Sequence, residues 1–148
     1  MRDGRLQDVF FYTLESAIKS YRRFAQARID EQGLDITIDQ WLVLRTLQDC
    51  PDATQQQVAA TVFKDFASVT RILQLVEAKG YLRTRPHPRD GRRSALTLTA
   101  AGASMIRTLD PIVRANRRRA LRGIAPGEAA RVRNLLVVIT ANCTPEGP

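Results

Sequence analysis

Three arginines, Arg89, Arg92 and Arg93, surround an Asp-Gly pair in the stretch PHPRDGRRS at residues 86–94, and upstream Arg71 stands among Ser68, Thr70 and Gln74. A guanidinium is a planar fork of donors. It pairs with two oxygens of a phosphate, or with O6 and N7 of guanine, and keeps its charge at any physiological pH. Short hydroxyl and amide side chains beside it suit the places where a polar surface comes closest. The chemistry implied is recognition of a polyanion. Chemistry that makes or breaks bonds has little to work with: there is one histidine, and Cys50 and Cys143 lie far apart. No Ser-His-Asp or Cys-His set can be assembled, and the carboxylates are scattered over helix faces. The same counts exclude a disulfide scaffold and a zinc site, so no metal and no cofactor is expected. Cys50, just before Pro51, is expected at a helix end as a small apolar residue.

The overall charge points the same way. The net charge is +8, and 20 of the 23 basic residues are arginine, so nucleic acid is the first partner to consider. An acidic membrane surface competes as a partner, but no lipidation motif is present, and the longest apolar run, Leu135 to Ile139, is far too short to span a bilayer. The opening residues MRDGRLQDVFF hold no apolar stretch ahead of a small-residue cleavage site, so no secretory leader is read and a cytoplasmic protein is expected. A chain of 148 residues can bury roughly 70% of its unfolded surface. It is expected to be one domain, or one domain with an appended helical part.

Periodicity supplies the elements that must hold these residues. Phe10, Leu14, Ala17, Ile18, Tyr21, Phe24 and Ala25 recur three or four apart, which predicts a long amphipathic helix over residues 6–31, ended by Gly33. Thr37 and Gln40 have capping-box spacing and open a second helix through Trp41, Leu44 and Leu47, closed by Pro51. Thr54 and Gln57 repeat that signature for a short third helix with Val58, Ala59 and Val62 inward. After a break at residues 63–65, Val69, Leu73 and Val76 predict a fourth helix over 67–79, stopped by Gly80. Two short helices joined by a tight turn outline a helix-turn-helix. The pattern then shifts to period two, with strands predicted at 81–85 and 94–98 around the arginine loop, where Asp90-Gly91 tolerates the positive backbone angles of a tight hairpin tip. A hairpin in that position is a wing. Thr99 caps a fifth helix running to about Arg122, with Pro111 as a point of bending. Pro126 opens a sixth reaching about Asn142, and the closing TPEGP is expected to fray. The fold class is therefore mostly α with a small β-wing. Helices outside the winged unit that can cover their apolar stripes only by pairing imply a homodimer.

The order Val69-Thr70-Arg71, Glu77-Ala78-Lys79-Gly80-Tyr81, Asp90-Gly91-Arg92, then Leu98-Thr99 and Gly102 resembles the MarR family of bacterial winged helix-turn-helix transcription factors. The wing pattern Asp-x-Arg, followed five residues later by Leu-Thr-x-x-Gly, is met residue for residue, and the match spans residues 38–103. The resemblance implies a homodimeric DNA-binding regulator, with segments 5–36 and 100–142 as dimerisation helices and 37–99 as the winged unit. It also implies a palindromic operator and a small-molecule effector that releases the DNA. Two positions depart from the family pattern: Phe66 starts the recognition helix where small or polar residues are common, and Leu75 is apolar on a face often charged.

Within that frame Ser68, Thr70, Arg71 and Gln74, on the side of the fourth helix opposite Val69, Leu73 and Val76, are the expected base-reading face, with Lys64 in the turn before it. Thr70 has an alternative, a bond back to the carbonyl four residues earlier. Thr54, Gln55 and Gln56 begin the third helix, where free amides favour a phosphate; capping alone would also explain Thr54. In the wing, Arg92 is expected in the minor groove, and Arg89 and Arg93 on phosphates. By family analogy Asp90 braces Arg92 or a neighbouring arginine, a role compatible with turn formation. His87 is a loop residue. The run Arg114, Arg117, Arg118, Arg119 and Arg122 points round most of a helix and is expected to be a solvated, partly ion-paired end. Tyr12, Tyr21, Trp41 and Arg45 either line a pocket for an aromatic or anionic effector or belong to the core. The first helix has no cysteine, which disfavours peroxide sensing there, and metal sensing lacks ligands. The competing function is a winged-helix module whose basic face docks an acidic protein partner.

Overall fold

The computed structural model describes residues 4–145. The expected frayed end TPEGP therefore lies outside the described residues for its last three positions. A 3-10 turn at Leu6–Asp8 precedes α1 (Phe10–Glu31), so the long first helix begins later than the apolar spacing alone suggests. Then come α2 (Ile38–Asp49), α3 (Gln55–Thr61) and α4 (Phe66–Ala78), followed by the antiparallel pair β1 (Leu82–Pro86) and β2 (Ser94–Leu98). The chain closes with α5 (Ala100–Ala120) and α6 (Pro126–Cys143).

Local chemistry explains the boundaries. Both capping boxes form: Thr37 accepts from the Gln40 amide at 3.1 Å while the Gln40 side chain receives the Thr37 amide, and Thr54 with Gln57 does the same. Gly80 ends α4 with φ 78°. The Tyr81 amide donates to the Val76 carbonyl at 3.0 Å and that of Gly80 to Glu77 at 2.8 Å, a Schellman closure that turns the chain sharply into β1. The α5 helix runs through Pro111 without interruption and stops at Ala120.

The chain divides into two compact units, Met1–Asn116 and Arg117–Pro148. The core of the first is built from Ile29 of α1, Ile36 ahead of α2, Val43, Leu44 and Leu47 of α2, Val58 and Ala59 of α3 with Val62 at its end, Val69, Leu73 and Val76 of α4, Leu82 and Leu96 of the strands, and Ile106 and Leu109 of α5. Each predicted inward residue of α3 and α4 is in it. The second unit contains all of α6, none of whose residues is buried: Val132, Leu135, Val137 and Val138 are all exposed. In α1, Phe10 and Phe11 meet edge to face at 5.2 Å yet both remain exposed, as does Ile18.

Candidate nucleic-acid interface

The turn between α3 and α4 sets the angle of the helix-turn-helix. Phe63 adopts φ 60° there, a conformation uncommon for a bulky side chain, and Asp65 caps α4 by accepting from the Ser68 amide at 2.7 Å. The fourth helix thus begins at Phe66, one residue before the sequence suggested, because Asp65 belongs to the helix and not to the break. That signal was readable: an Asp directly ahead of an apolar-periodic run is a preferred cap. Hydrogen bonds from the Ser68 backbone and side chain hold the Asp65 carboxyl below the ordinary carboxylate range. The cap's contribution is therefore full above the unfolded carboxylate pKa and is lost as pH falls through the lowered folded value. Asparagine caps about as well without titrating, so Asp65→Asn should lack that part of the acid destabilisation. Melts followed by circular dichroism from about pH 7 to about pH 3 check this, with identical acid profiles as the contrary result.

Across the two helices Gln55 donates to the Thr70 hydroxyl at 2.6 Å, and that hydroxyl donates to the Phe66 carbonyl at 2.9 Å. The back-bond open to Thr70 is formed, and one amide donor of Gln55 is engaged inside the protein. Lys64 is also engaged. Its ammonium lies 3.4 Å from Asp39, whose carboxylate is shared with Arg22 of α1, so α1, α2 and the α3–α4 turn meet at one acid. Asp39 was missed in the sequence because its partners come from elements distant along the chain. The outer face of α4 keeps Arg71 and Gln74 exposed and Ser68 half-buried.

The wing departs from the simple hairpin. The seven residues 87–93 separate the strands, closed by His87 donating to the Arg93 carbonyl at 3.0 Å and by Arg93 donating to the Asp90 carbonyl at 3.0 Å. Gly91 is not among the positive-φ glycines, so the Asp-Gly pair is not the left-handed tip expected of a two-residue turn. Asp90 instead accepts from the Arg92 amide at 3.1 Å, and its carboxylate lies 3.9 Å from the Arg93 guanidinium. It orders the Arg92 backbone and steadies Arg93, leaving the Arg92 and Arg89 side chains extended into solvent. Thr84 on β1 donates to Glu77 at 2.7 Å, tying the wing to the end of α4. A concavity of about 190 Å³ is lined by Thr54, Gln55, Gln56, Phe66, Arg92 and Arg93. The start of α3, the start of α4 and two wing arginines thus border one surface.

The four residues proposed for an effector are not gathered. Arg45 lines an open groove of about 830 Å³ with Leu42, Thr46 and Asp49, but Tyr12, Tyr21 and Trp41 do not line it. The Arg45 guanidinium pairs with Asp49 at 3.3 Å and Asp110 at 3.8 Å. Trp41 packs partly buried against the core, its indole Nε1 buried without a hydrogen-bond partner, and Tyr12 is exposed. Cys50 does sit at the end of α2, but exposed and not packed as an apolar residue; Cys143 is exposed as well. No group of metal-binding residues occurs among the described residues.

A family model described as MarR family matches residues 33–93, the segment from the end of α1 through the wing loop. Over that segment the chain is similar to the MarR family. The HTH-type transcriptional repressor IacR of Pseudomonas putida is 22% identical to this chain over 138 residues, 93% of this chain and 81% of that protein. Among solved structures, Bordetella bronchiseptica BpsR, whose DNA binding is regulated by 6-hydroxynicotinic acid, superposes with TM-score 0.85 at 21% identity, covering 93% of this chain and 96% of that one. A mutant MarR from E. coli complexed with operator DNA gives TM-score 0.82 at 19% identity, covering 93% and 99%. The Leu98-Thr99-x-x-Gly102 motif has a physical meaning. Thr99 donates to the Gly80 carbonyl at 2.6 Å and accepts from the Gly102 amide at 3.1 Å, which locks the start of α5 to the α4–β1 turn.

Proposed function

We propose that this chain is a member of the MarR family and a homodimeric, sequence-specific double-stranded DNA-binding repressor of a palindromic operator, acting in the cytoplasm and released by a small aromatic or anionic effector. The observation that carries this reading is the shared surface at which the first turns of α3 and α4 border Arg92 and Arg93 of the wing, with Arg71 exposed on α4. A recognition helix lies in the major groove and its N-terminal residues meet base edges, while a cationic finger beside it suits the neighbouring minor groove. The operator complex of the E. coli relative and the repressor name of IacR support it. Segments 5–36 and 100–142 supply the dimer contacts in this reading, consistent with the exposed apolar side chains of α1 and α6. BpsR responds to an aromatic acid. Of the four effector candidates we retain Arg45 for such an anion, since it borders an open groove and can exchange Asp49 and Asp110 for a ligand carboxylate. No helix among the described residues is long and apolar enough to cross a membrane.

Two substitutions separate base reading from backbone attraction. Arg71→Ala is expected to weaken the preferred duplex by about 1–3 kcal/mol and to relax base choice at one position per half-site. Arg89→Ala should weaken preferred and random duplexes alike and lower the salt dependence of binding by about one counterion per protomer. Fluorescence anisotropy on both duplexes across a salt series measures this. Unchanged affinity in both variants would show that the DNA lies elsewhere, and a basic face built for an acidic protein would prefer no duplex at all.

A further inference from the structure

Phe66 has no explanation in the fold. It occupies the first position of α4, is 57% exposed, and is absent from the core, although a large ring is costly to leave in water. Its neighbours across the concavity are Thr54, Gln55, Gln56, Arg92 and Arg93, all polar or cationic groups suited to phosphates. One apolar ring therefore stands on a surface otherwise made for a polyanion. Phe63 is still more exposed, but it belongs to the turn and does not border that surface. Phe66, Thr70 and Gln74 follow one another at four-residue spacing along α4, and the Thr70 hydroxyl is already engaged by Gln55 and the Phe66 carbonyl. What this stripe still offers a ligand is the ring of Phe66, the amide of Gln74 and one remaining lone pair on the Thr70 oxygen.

In the major groove the base edges are hydrogen-bonding groups except for one apolar feature, the C5-methyl of thymine, which apolar side chains meet directly. We propose that Phe66 reads this methyl group, making it a specificity-determining residue for a thymine in each half-site. The proposal rests on the DNA-binding reading above and names one element of the sequence that is read. The ring is placed by the Asp65 cap, which fixes the first turn of α4, and by the Gln55–Thr70 bond, which fixes that turn against α3.

The test uses the full chain and a duplex recovered from a random pool by selection. Each thymidine is replaced in turn by deoxyuridine, which keeps every hydrogen-bonding group of both grooves and removes only the methyl. At one symmetry-related position the replacement should weaken the wild-type protein about 4-fold in one half-site and about 15-fold in both, the expected effect of one methyl at each contact. Phe66→Ala should bind the thymidine and deoxyuridine duplexes equally, whereas Phe66→Leu, still apolar, should keep part of the difference. Because Phe66 is exposed, both variants should melt like the wild type. If no thymine position discriminates, or if Phe66→Ala keeps the wild-type ratio, the proposal is overturned. Equal weakening of both duplexes by Phe66→Ala, with no methyl effect in the wild type, would assign the ring to the sugar-phosphate backbone and overturns it too. If selection recovers no preferred duplex, the DNA-binding reading itself has failed, an outcome separate from loss of the methyl effect alone.

Discussion

Gly102→Ala should lower the melting temperature by about 5–10 °C, corresponding to roughly 2–3 kcal/mol for a chain of this size. A methyl group built on Gly102 would sit 2.2 Å from the Tyr81 carbonyl oxygen and 2.7 Å from Leu98 Cδ1. The side chain of Leu98 can turn aside. The Tyr81 carbonyl cannot, because it accepts from the Thr99 amide at 3.1 Å and follows directly on the Gly80 closure of α4. Either α5 lifts from the α4–β1 turn, or the turn deforms. The intrinsic preference of a helix for alanine over glycine returns about 1 kcal/mol, so the steric term must exceed that for the net loss predicted. The displacement would act where Thr99 holds the Gly80 carbonyl, so wing geometry and DNA affinity should suffer along with stability. Differential scanning calorimetry decides the matter. A melting temperature equal to that of the wild type would mean that α5 does not approach Tyr81 this closely.

Leu135→Glu should convert the proposed dimer to a monomer. Leu135 is 54% exposed on α6, next to Val132, Val137 and Val138, which are exposed to a similar extent. An apolar run with no buried residue is unusual for a stable helix unless a second copy covers it. Replacing the leucine forfeits about 1 kcal/mol of apolar burial and adds about 1–2 kcal/mol or more for taking a carboxylate out of water. A two-fold interface counts each substitution twice, so association should weaken by roughly 4–6 kcal/mol, about 10³-fold or more. Since Leu135 is exposed in the protomer, helix content should survive. Operator binding should fall with it, because a monomer engages one half-site. Sedimentation at micromolar concentration reads the mass directly, and a persistent dimer would place the interface away from α6.

How much of this was legible beforehand depended on how local the cause was. The capping boxes at Thr37 and Thr54, the stop at Gly80 and the apolar positions of α3 and α4 are set by neighbours a few residues apart, and all appear where spacing put them. The Asp65 cap is equally local, an Asp directly ahead of the apolar-periodic run, although the spacing alone puts residues 63–65 in a break. The Asp90-Gly91 pair invited a left-handed tip, yet the loop is long enough to turn through Asp90 and Arg93 without one. What could not be read was tertiary. The pairing of Arg45 with Asp110 of α5, of Lys64 with Asp39 and of Gln55 with Thr70 joins residues too far apart along the chain for spacing to show. Gly102 was recognisable as part of a motif, but its reason, a carbonyl from another element pressed against the helix, lies in the packing alone.

The central claim is that α4 and the wing contact adjacent grooves of a duplex, twice per dimer. Selection of bound sequences from a random duplex pool at about 0.15 M salt tests it most directly. The prediction is a two-fold symmetric site whose half-sites are centred about one helical turn apart, or a multiple of that, with A·T-rich steps where Arg92 enters the minor groove. A pool that emerges without enrichment, or enriched for a single asymmetric element, would contradict it.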